Sequence, residues 1–178
     1  MLDMLNQSLV LYRLETGEFE LSPRPVDLVD LAVRTCSRLA SMPMARGRRL
    51  HAVLAGGPVP AGARVAIPGD DLLLGPMLQN LVVNALEASP DGGEVEVDVV
   101  PGPESVRLAV RNQGEVPAAI RDRMFDKYVT LGKRSGTGLG AYSAALAAKA
   151  HGGSIELDAG VPGRTAVIVT LPRGGDAA

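Results

Sequence analysis

Two consecutive blocks of the same kind limit the possible folds of this chain more than any other feature. Each block is a helix pattern followed by two short segments in which apolar and polar residues alternate, as in strands. The helices are predicted at 71–89 and 139–150, and the strands at 95–99, 106–110, 155–157 and 165–171. Proline and glycine separate the strands of each pair, which predicts two antiparallel hairpins.

Further elements precede these blocks. A helix is predicted over the first sixteen residues, and a second helix begins near Asp27, a residue type that favours the N-cap. Residues 19–25 read as extended, and strands are predicted at 50–54 and 64–67. The whole order predicts an α+β fold, a two-layer α/β sandwich preceded by a short N-terminal helix. Helices lie on one face of its mixed, largely antiparallel sheet.

The first helix has an unusual distribution of apolar residues. Alternating spacings of three and four place one group of them on a single seam: Leu2, Leu5, Leu9 and Tyr12. Others, among them Val10 and Leu14, lie off that seam, and Gly17 is typical of the position just past a helix end. Two interpretations stay open, a helix folded onto its own domain or the end of a helix in a dimeric bundle.

The charges of the chain exclude one class of partner. Basic and acidic residues interleave to a net charge of −2 and there is no tryptophan, so we expect no nucleic-acid partner. No apolar run approaches the roughly 20 residues that span a bilayer. We therefore expect a cytoplasmic chain, whose parent protein would carry any membrane anchor outside this sequence.

The third helix carries polar residues on one face. Asn80, Asn84 and Glu87 are spaced i, i+4, i+7, which places them within about 60° of each other around the helix. Amides are poor helix formers, but an amide oxygen is a suitable ligand for Mg²⁺ that keeps waters and phosphate oxygens. The pattern therefore predicts a magnesium–phosphate site, although the wet face of an amphipathic helix is the simpler alternative.

A glycine-rich run opens the fourth helix. In Gly136-Thr137-Gly138-Leu139-Gly140 the glycines let the backbone approach a phosphate, and a helix N-terminus attracts anions. A flexible hinge would explain the same residues. The run is not a Walker A loop, because no Gly-Lys-Ser/Thr follows at the required spacing.

A third motif, Asn112-Gln113-Gly114, directly follows a predicted strand. The asparagine side chain there is suited to address the edge of a base, with glycine leaving room for a ring. An ordinary turn is the alternative.

Together these motifs resemble the boxes of the histidine-kinase ATPase family (HATPase or GHKL, the Bergerat fold), which shares its fold with gyrase, Hsp90 and MutL. Residues 78–85 resemble its asparagine box, 112–114 its first glycine box, 124–130 its phenylalanine box and 136–140 its second glycine box. Residues 163–172 are similar to its closing strand. The resemblance covers roughly Pro23 to Pro172.

The resemblance implies one nucleotide site shared by these motifs. Asn84 would coordinate Mg²⁺ on the phosphates of ATP. Asn80 would orient groups without acting as a base, since gyrase-like members carry a glutamate at that position. Asn112, beside Gly114, would face the adenine amino group, and Thr165 would support the adenine edge.

The phosphate end of the implied site combines glycines and charges. The run from Gly136 to Gly140 would cradle phosphate. Lys127 and Lys133, in or beside a short lid at 126–135, would meet its charge, while Glu87 stands where many members have a lysine. We expect the lid to be mobile without nucleotide because it is charged and contains a glycine. The main expectation is that the carboxamide ridge of one helix and the amides opening another converge on a common triphosphate.

The function implied is that of the ATP-binding catalytic domain of a two-component sensor histidine kinase. Such an enzyme transfers the γ-phosphoryl of Mg-ATP to a histidine, here on a dimerisation helix absent from this chain. Residues 1–17 resemble the end of a dimerisation helix, 18–174 the catalytic domain and 175–178 a tail. His51 and His151 are expected to be structural. The implied partners are ATP, the parent's phosphoacceptor helix and a response regulator, with a homodimer only in the full-length parent.

The chain departs from the family pattern in its first glycine box. The usual Asp-x-Gly-x-Gly is replaced by a segment that begins with Asn112 and continues into Glu115-Val116. This departure, together with Glu87, keeps one alternative open, a non-catalytic, nucleotide-gated interaction module of the same fold. An anti-sigma-type serine kinase is a further alternative, which the kinase-like N-terminal helix disfavours.

Overall fold

Both blocks of helix and hairpin form where the sequence predicts them. The structure is a computed structural model that describes residues 2–129 and 138–174, with side chains from Ser8 onward. Its α-helices are α1 (Leu2–Thr16), α2 (Leu28–Ala40), α3 (Asp71–Ala88), α4 (Ala118–Arg121) and α5 (Gly140–Ala150). None of the helices in the described part of the chain is long and apolar enough to cross a membrane.

The strands form one large sheet and one small sheet. They are β1 (Arg24–Asp27), β2 (Arg49–Leu54), β3 (Gly57–Pro58), β4 (Ala66–Gly69), β5 (Glu94–Pro101), β6 (Ser105–Gln113), β7 (Ser154–Asp158) and β8 (Arg164–Pro172). The large sheet has the order β3-β2-β5-β6-β8-β7, and only β2 and β5 are parallel neighbours among the described strands. This confirms the predicted mixed, largely antiparallel sheet of an α+β fold.

Alternation along the strands decides which face of the sheet the helices cover. Val97 of β5 lies opposite Val110 of β6, which in turn lies opposite Val167 of β8. All three side chains are buried in the core against α2, α3 and α5. Their strand neighbours face the other side, where Arg111 and Glu96 form an ion pair at 3.0 Å. Burying each such valine contributes roughly 1.5–3 kcal/mol, so the helix layer and the apolar face stabilise each other.

Asp70 and His151 join the start of α3 to the end of α5. The Asp70 carboxylate accepts hydrogen bonds from the backbone N–H of Leu72 at 3.0 Å and of Ser22 at 3.2 Å. The backbone N–H of Asp70 donates to Nε2 of His151 at 3.0 Å. Nδ1 of His151 lies 2.7 Å from the carbonyl oxygen of Ala147, so this nitrogen carries the proton. His151 is thus used structurally, as expected.

The segments predicted as strands at 50–54 and 64–67 do not pair with each other. The first becomes β2, parallel to β5 in the large sheet, and the second is displaced to Ala66–Gly69, where it pairs with β1. Pro25 of β1 lies directly opposite Pro68 of β4. Neither proline has an N–H to exchange with its partner, so this position is a non-hydrogen-bonded pair of the ladder.

Helix α1 packs on the domain through residues that lie off its predicted seam. Val10 and Leu14 contact the core, whereas Leu9 is 50% and Tyr12 56% exposed. The helix therefore rests on its own domain, as one of the two interpretations requires. The other interpretation is that the helix also belongs to a dimeric bundle. It stays a prediction, and the exposed part of the seam is compatible with it.

Candidate functional site

The amide face of α3 meets the beginning of α5. A Cβ atom placed on Gly140 would lie 3.7 Å from Cγ and 3.9 Å from Oδ1 of Asn80, so these groups are in van der Waals reach. Gly138, at a left-handed φ of 66°, and Leu139 lead into the first turn of α5. A helix start presents backbone N–H groups without intrahelical partners. The two surfaces that the sequence singles out therefore lie side by side.

Asn84 and Glu87 continue the same face of α3 toward its C-terminal end. Asn84 is half-buried and Glu87 is exposed. One amide oxygen suits Mg²⁺ only if waters and phosphate oxygens complete the shell, and an ion held that way needs no cluster of carboxylates. Within the described residues, no group of three or more His, Cys, Asp or Glu side chains could hold a metal ion. The amide oxygen of Asn84 is of the type that such an ion accepts as a ligand, and its role there stays a prediction.

The second cluster lies beyond the end of α3 and contains Asn112, Gly114 and Thr165. Asn112 and Thr165 pair across β6 and β8, and they are only 7% and 5% exposed. The Thr165 hydroxyl donates to the carbonyl oxygen of Gly114 at 2.8 Å. Gly114 has φ of 141°, and a Cβ there would collide with the carbonyl oxygen of Ala88. Close packing against α3 explains why this position is glycine.

The amide of Asn112 is oriented by its own backbone neighbour. Its Nδ2 donates to the carbonyl oxygen of Gln113 at 3.2 Å. In this orientation Oδ1 is the atom that can accept a further hydrogen bond. An asparagine held this way presents the same acceptor as the aspartate usual in the family's first glycine box, without its charge.

Glu115, at the variable position after Gly114, connects the first glycine box to a neighbouring turn. Its carboxylate accepts a hydrogen bond from the N–H of Gly163 at 2.7 Å, and the carbonyl oxygen of Gly163 accepts from the N–H of Gly114 at 2.9 Å. The side chain thus ties the loop after β6 to the turn between β7 and β8. Sequence reasoning missed this role, because a single glutamate after the glycine gives no signal of a partner so distant in sequence.

Lys127 is held by a cluster that joins three elements. Its Nζ lies 2.6 Å from Oε1 of Glu15 in the last turn of α1. The same Nζ lies 5.4 Å from the ring centre of Tyr128 and 5.8 Å from that of Tyr142 in α5. The N–H of Tyr128 donates to the carbonyl oxygen of Gly138 at 3.1 Å. The predicted phosphate-binding lysine is therefore adjacent to the glycine run, but paired with a carboxylate.

This cluster shifts the pKa values of its members. The hydrogen bond from Lys127 lowers the pKa of Glu15, and the bond to Glu15 raises the pKa of Lys127. Partial burial and a hydrogen bond to Glu15 raise the pKa of Tyr142. Glu15 was not among the site residues that the sequence predicts, because nothing near it along the chain indicates a partner in the phenylalanine box.

Part of the predicted site lies outside the described residues. Lys133, Gly136 and Thr137 belong to this part, as does most of the predicted lid at 126–135. Of the lid, the structure describes residues 126–129. The predicted roles of the other site residues also stay predictions. The structure brings Asn80 next to Gly140, Asn112 and Gly114 next to Thr165, and Lys127 next to α5.

Comparisons with known proteins agree with this geometry. A family model for the "Histidine kinase-, DNA gyrase B-, and HSP90-like ATPase" matches residues 69–175. Sporulation kinase A of Bacillus subtilis is 32% identical over 110 residues, which cover 61% of this chain and 18% of that protein. The sensor protein kinase PmrB of Pseudomonas aeruginosa is 32% identical over 176 residues, which cover 96% of this chain and 35% of PmrB. The chain thus spans about a third or less of these two relatives.

A solved structure extends the agreement to nearly the whole chain. Full-length ShkA, crystallised in complex with AMPPNP, superposes with a TM-score of 0.78 at 24% identity, covering 99% of this chain and 36% of ShkA. At this identity the likeness shows the fold. The assignment to a family comes from the family model, whose matched residues include both the amide face of α3 and the start of α5. The chain belongs to the family of histidine kinase-, DNA gyrase B- and HSP90-like ATPases, as an ATP-binding catalytic domain of the sensor histidine kinase type.

Proposed function

We propose that this domain binds Mg-ATP between the amide face of α3 and the start of α5, and transfers the γ-phosphoryl to a histidine on a helix of the parent protein. The observation that carries the proposal is the contact distance between Asn80 and Gly140. It supports the proposal because Asn80 lies beside the first turn of α5, so a triphosphate bound there would meet backbone N–H donors on one side and carboxamide groups on the other.

The base end of the site would be the cluster of Asn112, Gly114 and Thr165. A buried amide oxygen at Asn112 would accept a hydrogen bond from the adenine amino group, and Gly114 would keep this loop packed closely against α3. The Thr165 hydroxyl is committed to Gly114, so its contribution would be to hold the shape of this floor. These contacts favour an adenine nucleotide over a bare polyphosphate.

The phosphate end would use charge and positioning. Asn84 would provide an oxygen ligand to Mg²⁺, which neutralises phosphate charge when bound. Gly138, Leu139 and Gly140 would supply backbone N–H groups, together with Gly136 and Thr137 of the same run. Lys127, and Lys133 in the lid, would add positive charge. The role of Glu87 would be to limit the net positive charge near the phosphates.

Asn80 separates a kinase from an ATPase in this proposal. A neutral amide cannot take a proton from water, so a group at this position orients but does not act as a general base. The bound ATP would therefore be hydrolysed slowly. Its γ-phosphoryl would go to an imidazole nitrogen, which is nucleophilic without a base when the histidine is neutral.

The parent protein would supply what the catalytic reaction still needs. Residues 1–17 would be the end of a dimerisation helix, residues 18–174 the catalytic domain and 175–178 a tail. The exposed seam around Leu9 and Tyr12 would pack in that dimer. The phosphohistidine would then pass its phosphoryl group to a response regulator, with the domain on the cytoplasmic side of any membrane anchor.

Calorimetry with Mg-ATP tests the nucleotide site. Asn84→Ala is expected to weaken Mg-ATP binding by about tenfold or more and to abolish the difference between magnesium and EDTA. Gln79→Ala is the matched control, because this neighbouring amide on α3 accepts a hydrogen bond from Arg38 at 2.8 Å, away from Gly140. Equal affinities of wild type and Asn84→Ala would remove the basis of the site.

Transfer is tested with a separately prepared phosphoacceptor helix bundle and ATP labelled at the γ-position. Label that appears on histidine, acid-labile and base-stable, is the expected result. Docking of the bundle without transfer would instead favour the nucleotide-gated module. The neutral Asn112 in place of an aspartate is the observation that keeps this alternative in the experiment.

A further inference from the structure

We infer that Glu15 and the nucleotide phosphates compete for Lys127, so that docking of α1 on the domain and nucleotide binding oppose each other. This inference rests on the proposed function, because it takes Lys127 as a phosphate-binding group. Its new element is Glu15, a residue of the N-terminal helix that lies outside every nucleotide-binding motif.

The contact has more support than an ordinary surface ion pair. The side chains of Lys127 and Glu15 are 35% and 25% exposed, and their charged atoms are 2.6 Å apart. The Tyr142 hydroxyl also bonds to Glu15, and Lys127 lies over the rings of both Tyr128 and Tyr142. Several elements thus hold the ammonium in one place. Forming this ion pair therefore costs less side-chain conformational entropy than forming an exposed pair.

The position of this cluster connects it to the phosphate end of the site. Tyr128, next in the chain to Lys127, donates its N–H to the carbonyl oxygen of Gly138. Tyr142 lies in the first turn of α5, two residues after Gly140, which faces Asn80. The ammonium therefore lies beside the backbone that would cradle phosphate.

The Glu15 carboxylate and the nucleotide phosphates compete because both are negatively charged. The ammonium of Lys127 has three donors, so geometry alone would allow it to contact a carboxylate and a phosphate together. A triphosphate at the start of α5 would, however, bring several negative charges toward the Glu15 carboxylate, and like charges at such distances repel. Lys127 can then serve the phosphates fully only after Glu15 withdraws, which removes a polar contact between α1 and the rest of the domain.

The coupling must act in both directions. If nucleotide releases α1, then release of α1 must strengthen nucleotide binding by the same factor. For a partly exposed pair we expect a factor of about two to five. The apolar contacts of Val10 and Leu14 with the core would still restrain the helix.

Glu15→Gln tests the inference, because it removes the charge and keeps the size of the side chain. Glu18→Gln, one residue past the glycine that ends α1, is the matched control. Hydrogen exchange of α1 without nucleotide should rise in Glu15→Gln and stay at the wild-type level in Glu18→Gln. Mg-AMPPNP should bind Glu15→Gln about two- to fivefold more tightly than wild type, and should raise the exchange of α1 in wild type.

The outcomes separate this inference from the proposed function. If wild type and Glu15→Gln bind Mg-AMPPNP equally, or if Glu15→Gln binds it more weakly, the competition is refuted while the nucleotide site stands. If Mg-AMPPNP leaves the exchange of α1 in wild type unchanged, the coupling is refuted as well. Should wild type not bind Mg-AMPPNP at all, the proposed function fails and the inference fails with it.

Discussion

Asn112 and Thr165 lie directly opposite each other on β6 and β8, with both side chains buried on the helix-facing side of the sheet. The next pair on the same face, Val110 with Val167, is apolar. The polar pair therefore marks the place where the core ends and a buried surface with hydrogen-bonding groups begins. Because the core cluster itself is built from apolar side chains, we expect a polar ring system to be recognised at this boundary.

Asn112→Ala is expected to weaken ATP binding by about 5- to 20-fold, because it removes one buried hydrogen-bond acceptor without adding a charge. Gln113→Ala is the control, since the neighbouring side chain faces the opposite side of the sheet. Titration of ATP and GTP against both variants measures the effect. Equal losses for both variants would show that Asn112 does not read the base.

Gly114→Ala is expected to lower the free energy of unfolding by at least about 2 kcal/mol. The new Cβ would collide with the carbonyl oxygen of Ala88 at a backbone conformation that alanine rarely adopts. Gly57→Ala serves as the control, because only the carbonyl oxygen of Leu54 lies near, at an ordinary 3.7 Å. Urea unfolding followed by circular dichroism should show a change within about 0.5 kcal/mol for the control. Similar losses at both positions would contradict the packing described.

His151→Ala is expected to destabilise the domain by about 2–4 kcal/mol, because it leaves the N–H of Asp70 without its partner and opens a cavity between α3 and α5. His51→Ala is the comparison. The His51 side chain is 37% exposed and lies 3.7 Å from Glu94 and from Glu96, so its loss should be within about 1 kcal/mol. Thermal unfolding of both variants distinguishes a structural histidine from a surface one, and an equal shift in Tm would argue against the bridge.

Cys36 provides a test of the core that depends on pH. Burial raises the pKa of its thiol to about 12, whereas the pKa of an unfolded cysteine is about 8.5. The folded state keeps the thiol proton to a higher pH than the unfolded state does. The free energy of unfolding is therefore unaffected at pH values below the pKa of the unfolded thiol. It falls as the pH rises from that pKa toward the pKa of the folded thiol. At pH 8 the native thiol should resist a disulfide reagent and react once urea unfolds the chain. The signal is unambiguous because the chain has one cysteine, and rapid reaction of the native protein would contradict its burial.

The sequence patterns correctly predicted the features that depend on neighbouring residues, namely the strands, the faces of the helices and the helix ends. Alternation of valine with polar residues located β5 and β6, because period two places one set of side chains in the core. Helical spacing placed Asn80 and Asn84 on one face, and glycines located the start of α5. The resemblance to a family then connected motifs whose proximity no single pattern could establish.

Contacts between distant segments were beyond such patterns. The parallel pairing of β2 with β5 depends on which sheet edge is left available once the other elements have packed. Likewise, the bonds of Glu15 to Lys127 and of Glu115 to Gly163 join residues that share no periodicity. Charged side chains at the surface accept many arrangements of similar free energy, so the choice among them is made by the tertiary structure.

The small sheet of β1 and β4 has a further consequence through its opposed prolines, Pro25 and Pro68. At a position where the two strands do not bond to each other, backbone N–H groups would point outward, and here both are missing. The outer edges of β1 and β4 therefore each lack a backbone N–H donor at this pair of residues. A strand from a neighbouring molecule would lose a hydrogen bond on either side, so this ribbon resists extension into an intermolecular sheet.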